Sequence, residues 1–472
     1  MKLDAHTLAQ LDVAKPSYDR SEISIGIVHF GVGGFHRAHQ AMYVDRLLEQ
    51  GKAREWGICG VGLLPGDRRM AEVMAAQDGL YTLLLENPDG TREARVIGSI
   101  VDYRYGPDDP EGVIEMLAAP TTRVVSLTIT EGGYHLDALP EVSVFALVTE
   151  ALARRRARGV TAPTIVSCDN IEGNGDVART AFTAYAERTD PGLAEWIGIH
   201  TRFPNSMVDR ITPVTTPGVI NTVAAEFGID DEWPVVAEPF TAWVLEDSFT
   251  DGRPPLDDVG VLLVDDVTPY ELMKLRLLNA GHQALCYFAY LSGYRLVHDA
   301  AGDPLFADFL RQYMDSEATP TLRPVPGIDL DDYKRTLIER FANPGVRDTI
   351  ARLCYGSSDR IPQWLLPVVR ENLKSGAPVR LSAAVVASWA RYAEGVDERG
   401  EPIDVQDSRA EALMPLAKAQ RENPTAFIEY RDLFGDLAEQ QRFVEAYTWT
   451  LDSLHRVGAR ATLEELVSGT AS

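Results

Sequence analysis

The chain is poor in the residues that staple, anchor or bind polyanions. It has four cysteines in 472 residues, Cys59, Cys168, Cys286 and Cys354, scattered and without a CxxC pair. That spacing argues against a disulfide framework or a structural zinc site and predicts reduced, buried thiols of a cytoplasmic protein. Positive charge is scarce as well: 45 Lys and Arg against 70 Asp and Glu give a formal charge of −25. Nucleic acid and anionic membranes need clustered basic residues, so neither is expected as a partner. No apolar run approaches the ~20 residues of a membrane span, and Met1-Lys2-Leu3-Asp4-Ala5-His6-Thr7-Leu8 has no signal-peptide core. Internal repeats and low-complexity segments are also missing. What remains is an ordinary globular composition, 45% hydrophobic and 24% charged, in a chain long enough for two or three domains.

The order of apolar runs gives the fold class. Ile23 to Phe30 is an apolar run ending in Gly31-Val32-Gly33-Gly34, followed by an amphipathic stretch from Phe35 to about Gln50. That reads as strand, tight turn, helix. Trp56 to Leu64, Arg123 to Thr130 and Thr164 to Cys168 are further β-rich runs, and Val142 to Arg158 has a helical pattern. Strands alternating with helices predict an α/β domain, a Rossmann-type parallel sheet covered on both faces. After residue 268 the texture changes to long Ala- and Leu-rich helical patterns, such as Leu381 to Glu394 and Gln440 to Val457. The expected layout is a dinucleotide-binding domain over 1–268 and a mostly α-helical domain over 269–472.

The second domain opens on a helix start, Thr268-Pro269-Tyr270-Glu271, with Thr as N-cap and Pro at the first helical position. In an α-helix Asn279 falls about 140° around from Lys274, with His282 about 80° around, between them. Leu275, Leu278 and Leu285 project into the same arc, so it is not a solvated face. A lysine, an amide and an imidazole among leucines suit a desolvated site where a lysine works as a base near neutral pH. The same spacing also suits a snorkelling lysine beside two core polar groups. Tyr270 and Lys274 share the Tyr-x-x-x-Lys spacing of short-chain dehydrogenases, but this chain is about twice too long and the pair sits on the helix that leaves the nucleotide domain.

Gly31-Val32-Gly33-Gly34-Phe35-His36 stands where a dinucleotide turn must, after a strand and before a helix. Its sixth position is His36 rather than glycine, and no acid follows at the usual spacing, which leaves Asp67 as the candidate for the ribose hydroxyls. Arg68 and Arg69 beside it could instead meet a 2′-phosphate. His36 and His39 lack a third ligand nearby and are expected to be structural or cofactor contacts rather than a metal site. Two more strand ends, Thr130-Glu131-Gly132-Gly133-Tyr134 and Ser167-Cys168-Asp169-Asn170, fall where open α/β sheets bind ligands.

Taken in order, these segments resemble the polyol-specific long-chain dehydrogenases, the mannitol dehydrogenase family. The resemblance runs through Phe30 to Arg37, Thr128 to Tyr134, Ser167 to Asn170, Phe203-Pro204-Asn205-Ser206-Met207-Val208-Asp209-Arg210 and Lys274-x4-Asn279-x2-His282. It implies a nicotinamide cofactor, NAD rather than NADP, held by Gly31, Gly33, Gly34, Phe35, His36, Asp67 and Glu131, and no catalytic metal. It implies Lys274 as general base, Asn170 and Asn279 as amides on the reacting oxygen, His282 as orienting imidazole and Glu271 as a carboxylate linked to proton exit. Asp209 and Arg352 fall where the family contacts substrate hydroxyls. Tyr355 and Arg360 replace a histidine and a lysine sometimes found there.

The expected reaction is reversible oxidation of an acyclic polyol, D-mannitol to D-fructose first and D-arabinitol next, by a monomer or weak oligomer. Three alternatives stay open. A hexuronate reductase of the same family would grip a carboxylate with Arg352 and Arg360. A decarboxylating dehydrogenase of the 6-phosphogluconate type would need a basic phosphate cluster. A non-catalytic dinucleotide sensor would not need Lys274.

Overall fold

Alternation along a single strand sets the layers of the first unit. Ile27 belongs to the apolar cluster of Val44, Leu47 and Trp56 on one face of the sheet. Val28 and Phe30 belong to that of Val125, Leu127 and Phe145 on the other. A strand buried on both faces needs an apolar run, which is why it is legible.

The strands are β1 (Ile25–Phe30), β2 (Gly57–Gly62), β3 (Tyr81–Glu86), β4 (Arg92–Ile97), β5 (Ile100–Tyr105), β6 (Val124–Leu127), β7 (Thr164–Ser167), β8 (Ser206–Asp209), β9 (Val235–Ala237), β10 (Ala242–Glu246) and β11 (Leu262–Val264). The computed structural model describes residues 1–137 and 139–469. Five strands form a wholly parallel sheet in the order β5-β2-β1-β6-β7. The order reverses at β1, so the loops after β1 and β6 flank the crevice where such sheets take their ligands. Two three-stranded sheets, β11-β10-β8 and β4-β3-β9, complete the strands.

The chain divides into two units, Met1–Thr268 and Pro269–Ser472. The first is the Rossmann-type α/β unit expected from the sequence. The second is helical, with Arg380–Tyr392 and Gln441–Val457 among its longest helices. Helix Arg380–Tyr392 has no local cap. The buried carboxylate of Glu317 instead accepts its first N–H groups, from Leu381 at 2.7 Å and Ser382 at 2.8 Å.

Three local expectations need correction. The stretch after the glycine turn is not one helix but two, Gly34–Ala38 and Gln40–Glu49, broken at His39 (φ −124°, ψ −93°). His39 is held there by tertiary contacts: Nε2 bonds the Ala242 carbonyl at 2.9 Å, and the ring stacks on Phe35. Thr268 is not an N-cap. The helix begins at Thr268, whose N–H goes to Asp266 Oδ1 at 2.9 Å. Finally, the helix carrying Lys274 is not α-helical throughout. Thr268–Met273 and Ala280–Leu291 are α-helical, but Lys274–Asn279 is a π-helix.

Candidate active site

In the first unit the glycine turn is built for close approach. Gly31 has φ +91°, and a Cβ there would fall 2.1 Å from the Thr128 carbonyl oxygen. At Gly33 the nearest other atom to such a Cβ is 3.9 Å away, so its face is open. Gly34, Phe35 and His36 form the first turn of a five-residue helix, whose leading N–H groups have no partners within the helix. The turn thus offers an open backbone cradle and free donors, which fit a pyrophosphate. His36 contributes shape rather than charge. Its ring stacks on His29 at 3.4 Å between centroids, and burial pushes its pKa well below the usual value.

Asp67 opens the helix after β2. Its Oδ2 accepts from the N–H groups of Leu63 and Leu64, both at 2.9 Å, which fixes the carboxylate just beyond the strand. The arginines beside it are directed elsewhere. Arg68 forks onto Asp108 at 2.9 and 2.7 Å and lies over the Tyr105 ring, while Arg69 lies over Trp233. Asp209 ends β8 and is buried, and the neighbouring Arg210 donates to the carbonyls of Glu238 and Ala38. Asn170 is exposed in the bend after β7. The side chain of Glu131 lies outside the described residues.

In the second unit the π-helix decides the geometry. The Ala280 N–H reaches back to Leu275 O, five residues away. The widened turn narrows the angle between Asn279 and Lys274, which α-helical geometry would set at about 140°. Lys274 is 6% exposed, and Glu271 and Asn279 are also buried. Tyr313 Oη donates to the carbonyl of Arg276, inside the π segment, at 3.1 Å. The Arg276 side chain is fixed by a fork onto Glu371 at 3.0 and 2.6 Å. Tyr270 donates to Pro326 O at 2.8 Å, so its hydroxyl already serves the fold.

His282 follows one α-turn after Asn279 and stacks on Phe341 at 4.3 Å. Burial, then the charges of Arg352, Arg340, Arg360 and Lys274, hold its pKa well below 6.5, so the ring is neutral at working pH. Those charges place Lys274, His282, Arg352 and Arg360 in one electropositive neighbourhood. Arg352 is braced by Asp348, through Nε to Oδ1 at 2.6 Å and Nη2 to Oδ2. Arg360 Nη1 donates to the carbonyls of Arg352 and Leu353, both at 3.2 Å. Tyr355 is 56% exposed. Among the described residues no three His, Cys, Asp or Glu side chains gather as a metal site.

Sequence reasoning missed the supports. Thr128 Oγ1 donates to Gly31 O at 2.7 Å, and His29 bridges Thr128 and Ser126 at 3.0 and 2.8 Å. Asp169 accepts from Thr130 N–H at 2.8 Å and Tyr134 Oη at 2.8 Å. The signal for His29 and Thr128 was a polar side chain near the end of β1 and another just past β6. Asp169 stood in the strand-end segment Ser167 to Asn170, but nothing local gave its contacts with Thr130 and Tyr134.

Family models bear on both units. The mannitol dehydrogenase Rossmann domain matches residues 25–258 and the mannitol dehydrogenase C-terminal domain residues 266–455. A mannitol 2-dehydrogenase of Phaeosphaeria nodorum is 44% identical, over 98% of this chain and 85% of that protein. One from Aspergillus fumigatus is 41% identical over 99% of both. Among solved structures, the mannitol 2-dehydrogenase of Pseudomonas fluorescens, in ternary complex with NAD and D-mannitol, superposes with a TM-score of 0.92. It is 43% identical, over 99% of this chain and all of the other. A D-sorbitol dehydrogenase in substrate-free form gives a TM-score of 0.88 at 37% identity, over 98% of this chain and all of the other. With both domain models matched in order and relatives aligned end to end, the chain belongs to the mannitol dehydrogenase family.

Proposed function

We propose that the protein oxidises an acyclic polyol reversibly at a secondary carbon, D-mannitol to D-fructose first and D-arabinitol next, with Lys274 as general base and no metal. The coarser statement, an NAD-dependent polyol dehydrogenase, follows from the family and its relatives. The observation that carries the finer one is the π-helix that runs from the buried Lys274 to the buried Asn279. π turns are rare and recur at functional sites.

Bound NAD would supply the hydride acceptor for the carbinol carbon. Everything else falls to side chains. The neutral Lys274 Nζ takes the hydroxyl proton, and Glu271, one turn earlier, passes it toward solvent. The amides of Asn170 and Asn279 donate N–H groups to the oxygen as it gains charge, each worth on the order of 2.7–4 kcal/mol in comparable sites. Neutral His282 orients the substrate by a hydrogen bond, and the surrounding guanidiniums favour an oxyanion. Asp209 and Arg352 bind the hydroxyl chain, with Tyr355 and Arg360 at its edge. Asp67, fixed by two backbone donors, accepts from the ribose hydroxyls of NAD and repels a 2′-phosphate.

Two observations weigh against a hexuronate reductase. The fork of Arg352 is already closed on Asp348, and Arg360 braces backbone carbonyls, so neither presents a ready pair of donors to a carboxylate. The test is a panel of polyols and ketoses, with fructuronate and tagaturonate included, run with both cofactors. Mannitol and arabinitol with NAD should lead. Comparable efficiency on 2-propanol, or preference for a hexuronate, would overturn the assignment.

A further inference from the structure

Thr130 holds a backbone conformation that its side chain resists. Its φ is +64° and ψ 169°, a region used almost exclusively by glycine, and Thr is β-branched. Glycines stand two and three residues on, at Gly132 and Gly133, but not here. Such a conformation persists only where neighbours enforce it.

The enforcing group is Asp169, buried just beyond the end of β7. Its Oδ1 accepts from the Thr130 N–H at 2.8 Å. Its Oδ2 accepts from the Ile129 N–H at 3.3 Å and from Tyr134 Oη at 2.8 Å. One carboxylate therefore grips the turn after β6 at both ends. The same turn is tied on its other side to the glycine turn after β1. Thr128 Oγ1 donates to Gly31 O, and the Thr128 carbonyl occupies the space a Cβ at Gly31 would need. These two turns flank the crevice at the reversal of strand order, where the dinucleotide binds.

We propose that Asp169 is a positioning residue for the cofactor: it latches the turn after β6 into its strained form and so fixes the wall against which the dinucleotide is held. The latch acts through backbone placement and touches no reacting atom. A neutral amide in its place keeps the size but offers one acceptor oxygen for four donors, Ser167 Oγ at 3.4 Å being the fourth, and the strained Thr130 relaxes. Glycine at 130 adopts positive φ without strain, so it should reduce the need for the latch. The inference rests on the reading that the glycine turn binds NAD.

The experiment is NADH fluorescence titration and steady-state kinetics on wild type, D169N, T130G, D169N/T130G and Y134F, with melting curves on each. Wild type must bind NADH; if it does not, the cofactor reading itself fails. D169N is expected to weaken NADH binding about tenfold, the scale of one charge-assisted hydrogen bond. KM for NAD should rise with it while KM for the polyol does not. T130G should bind like wild type, and the double variant should bind more tightly than D169N alone, a coupling a purely structural aspartate would not produce. If D169N does not fold, Y134F decides, because it removes one donor from the carboxylate and should still raise the NADH Kd. Wild-type NADH affinity in D169N or Y134F, or a double variant no better than D169N, would overturn the proposal.

Discussion

Moving from pH 7.5 to 5.5 should cost the protein folding stability through three histidines, about 1 kcal/mol of it through His29 alone. Burial pulls the His29 pKa down to about 3. Burial, with neighbouring His29, Arg37 and His39, holds His36 well below 6.5. Burial and a ring of cations do the same for His282. In the unfolded chain each imidazole takes up a proton near pH 6.5. Between that value and the depressed one, the unfolded state binds more protons, so stability falls as pH falls. For His29, whose folded pKa lies far below the interval, two pH units spanning 6.5 remove about 1 kcal/mol. His36 adds to the loss in the first unit and His282 in the second. Burial also raises the pKa values of Asp45, Asp231 and Glu317, and their protonation in the folded state works in the opposite sense. The histidine contribution is therefore isolated with H29Q. Urea melts followed by circular dichroism at the two pH values should show the variant losing about 1 kcal/mol less than wild type. Equal losses in the two proteins would refute the reasoning.

Replacing Lys274 by Ala should cut polyol oxidation by ~10²–10⁴-fold, the range for a positioned acid–base group, with NADH binding nearly unchanged. Retention of more than about a tenth of turnover would put the base elsewhere. The cofactor ratio of kcat/KM should favour NAD over NADP, and D67N should erode that preference by about tenfold or more, as expected for losing a charged acceptor. A wild-type preference for NADP would show that Arg68 or Arg69 leaves its present partner. Y313F leaves the Arg276 carbonyl without its donor inside the π segment and should cost about 1–3 kcal/mol in a urea melt. An unchanged midpoint would mean that the carbonyl finds another partner. Dialysis against a chelator should leave activity intact, whereas loss restored by zinc would identify a different class of dehydrogenase.

The parts legible in the sequence were those that bury apolar runs or need glycine. β1, β2, β6 and β7 are buried on both faces and appear as runs rich in Ile and Val with no Asp, Glu, Lys or Arg. The edge strand β5, Ile-Val-Asp-Tyr-Arg-Tyr, is only partly buried along most of its length and interleaves charge, so it carries no such signal. The hairpin of β3 and β4 hides for the same reason, since Arg92, Glu93 and Arg95 sit in its outer strand. The glycine turn was legible because the positive φ at Gly31 and the Thr128 carbonyl packed against it demand glycine. The strained turn at Thr130 was not, because it violates the local preference of its own residue. A departure of that kind is enforced by a distant side chain, Asp169, and no window of sequence contains both.

The helix of Lys274 makes the same point about chemistry. An α-helical wheel gathers Lys274, Asn279 and His282 loosely on one arc and leaves a snorkelling lysine as an equal alternative. In the structure a π turn instead runs through Lys274–Asn279, and Lys274 is buried. Its backbone is accommodated from outside the segment: Tyr313 satisfies the Arg276 carbonyl, and Glu371 with the Thr321 carbonyl anchors the Arg276 side chain. These partners lie about 40 to 95 residues away. A second π segment, Met314–Ala318, carries none of the candidate site residues, so a widened turn alone does not mark a site. A base and an oxyanion donor that must point at one oxygen do gain from it, and this is why the π segment, together with the burial of the lysine, supports Lys274 as the proton acceptor.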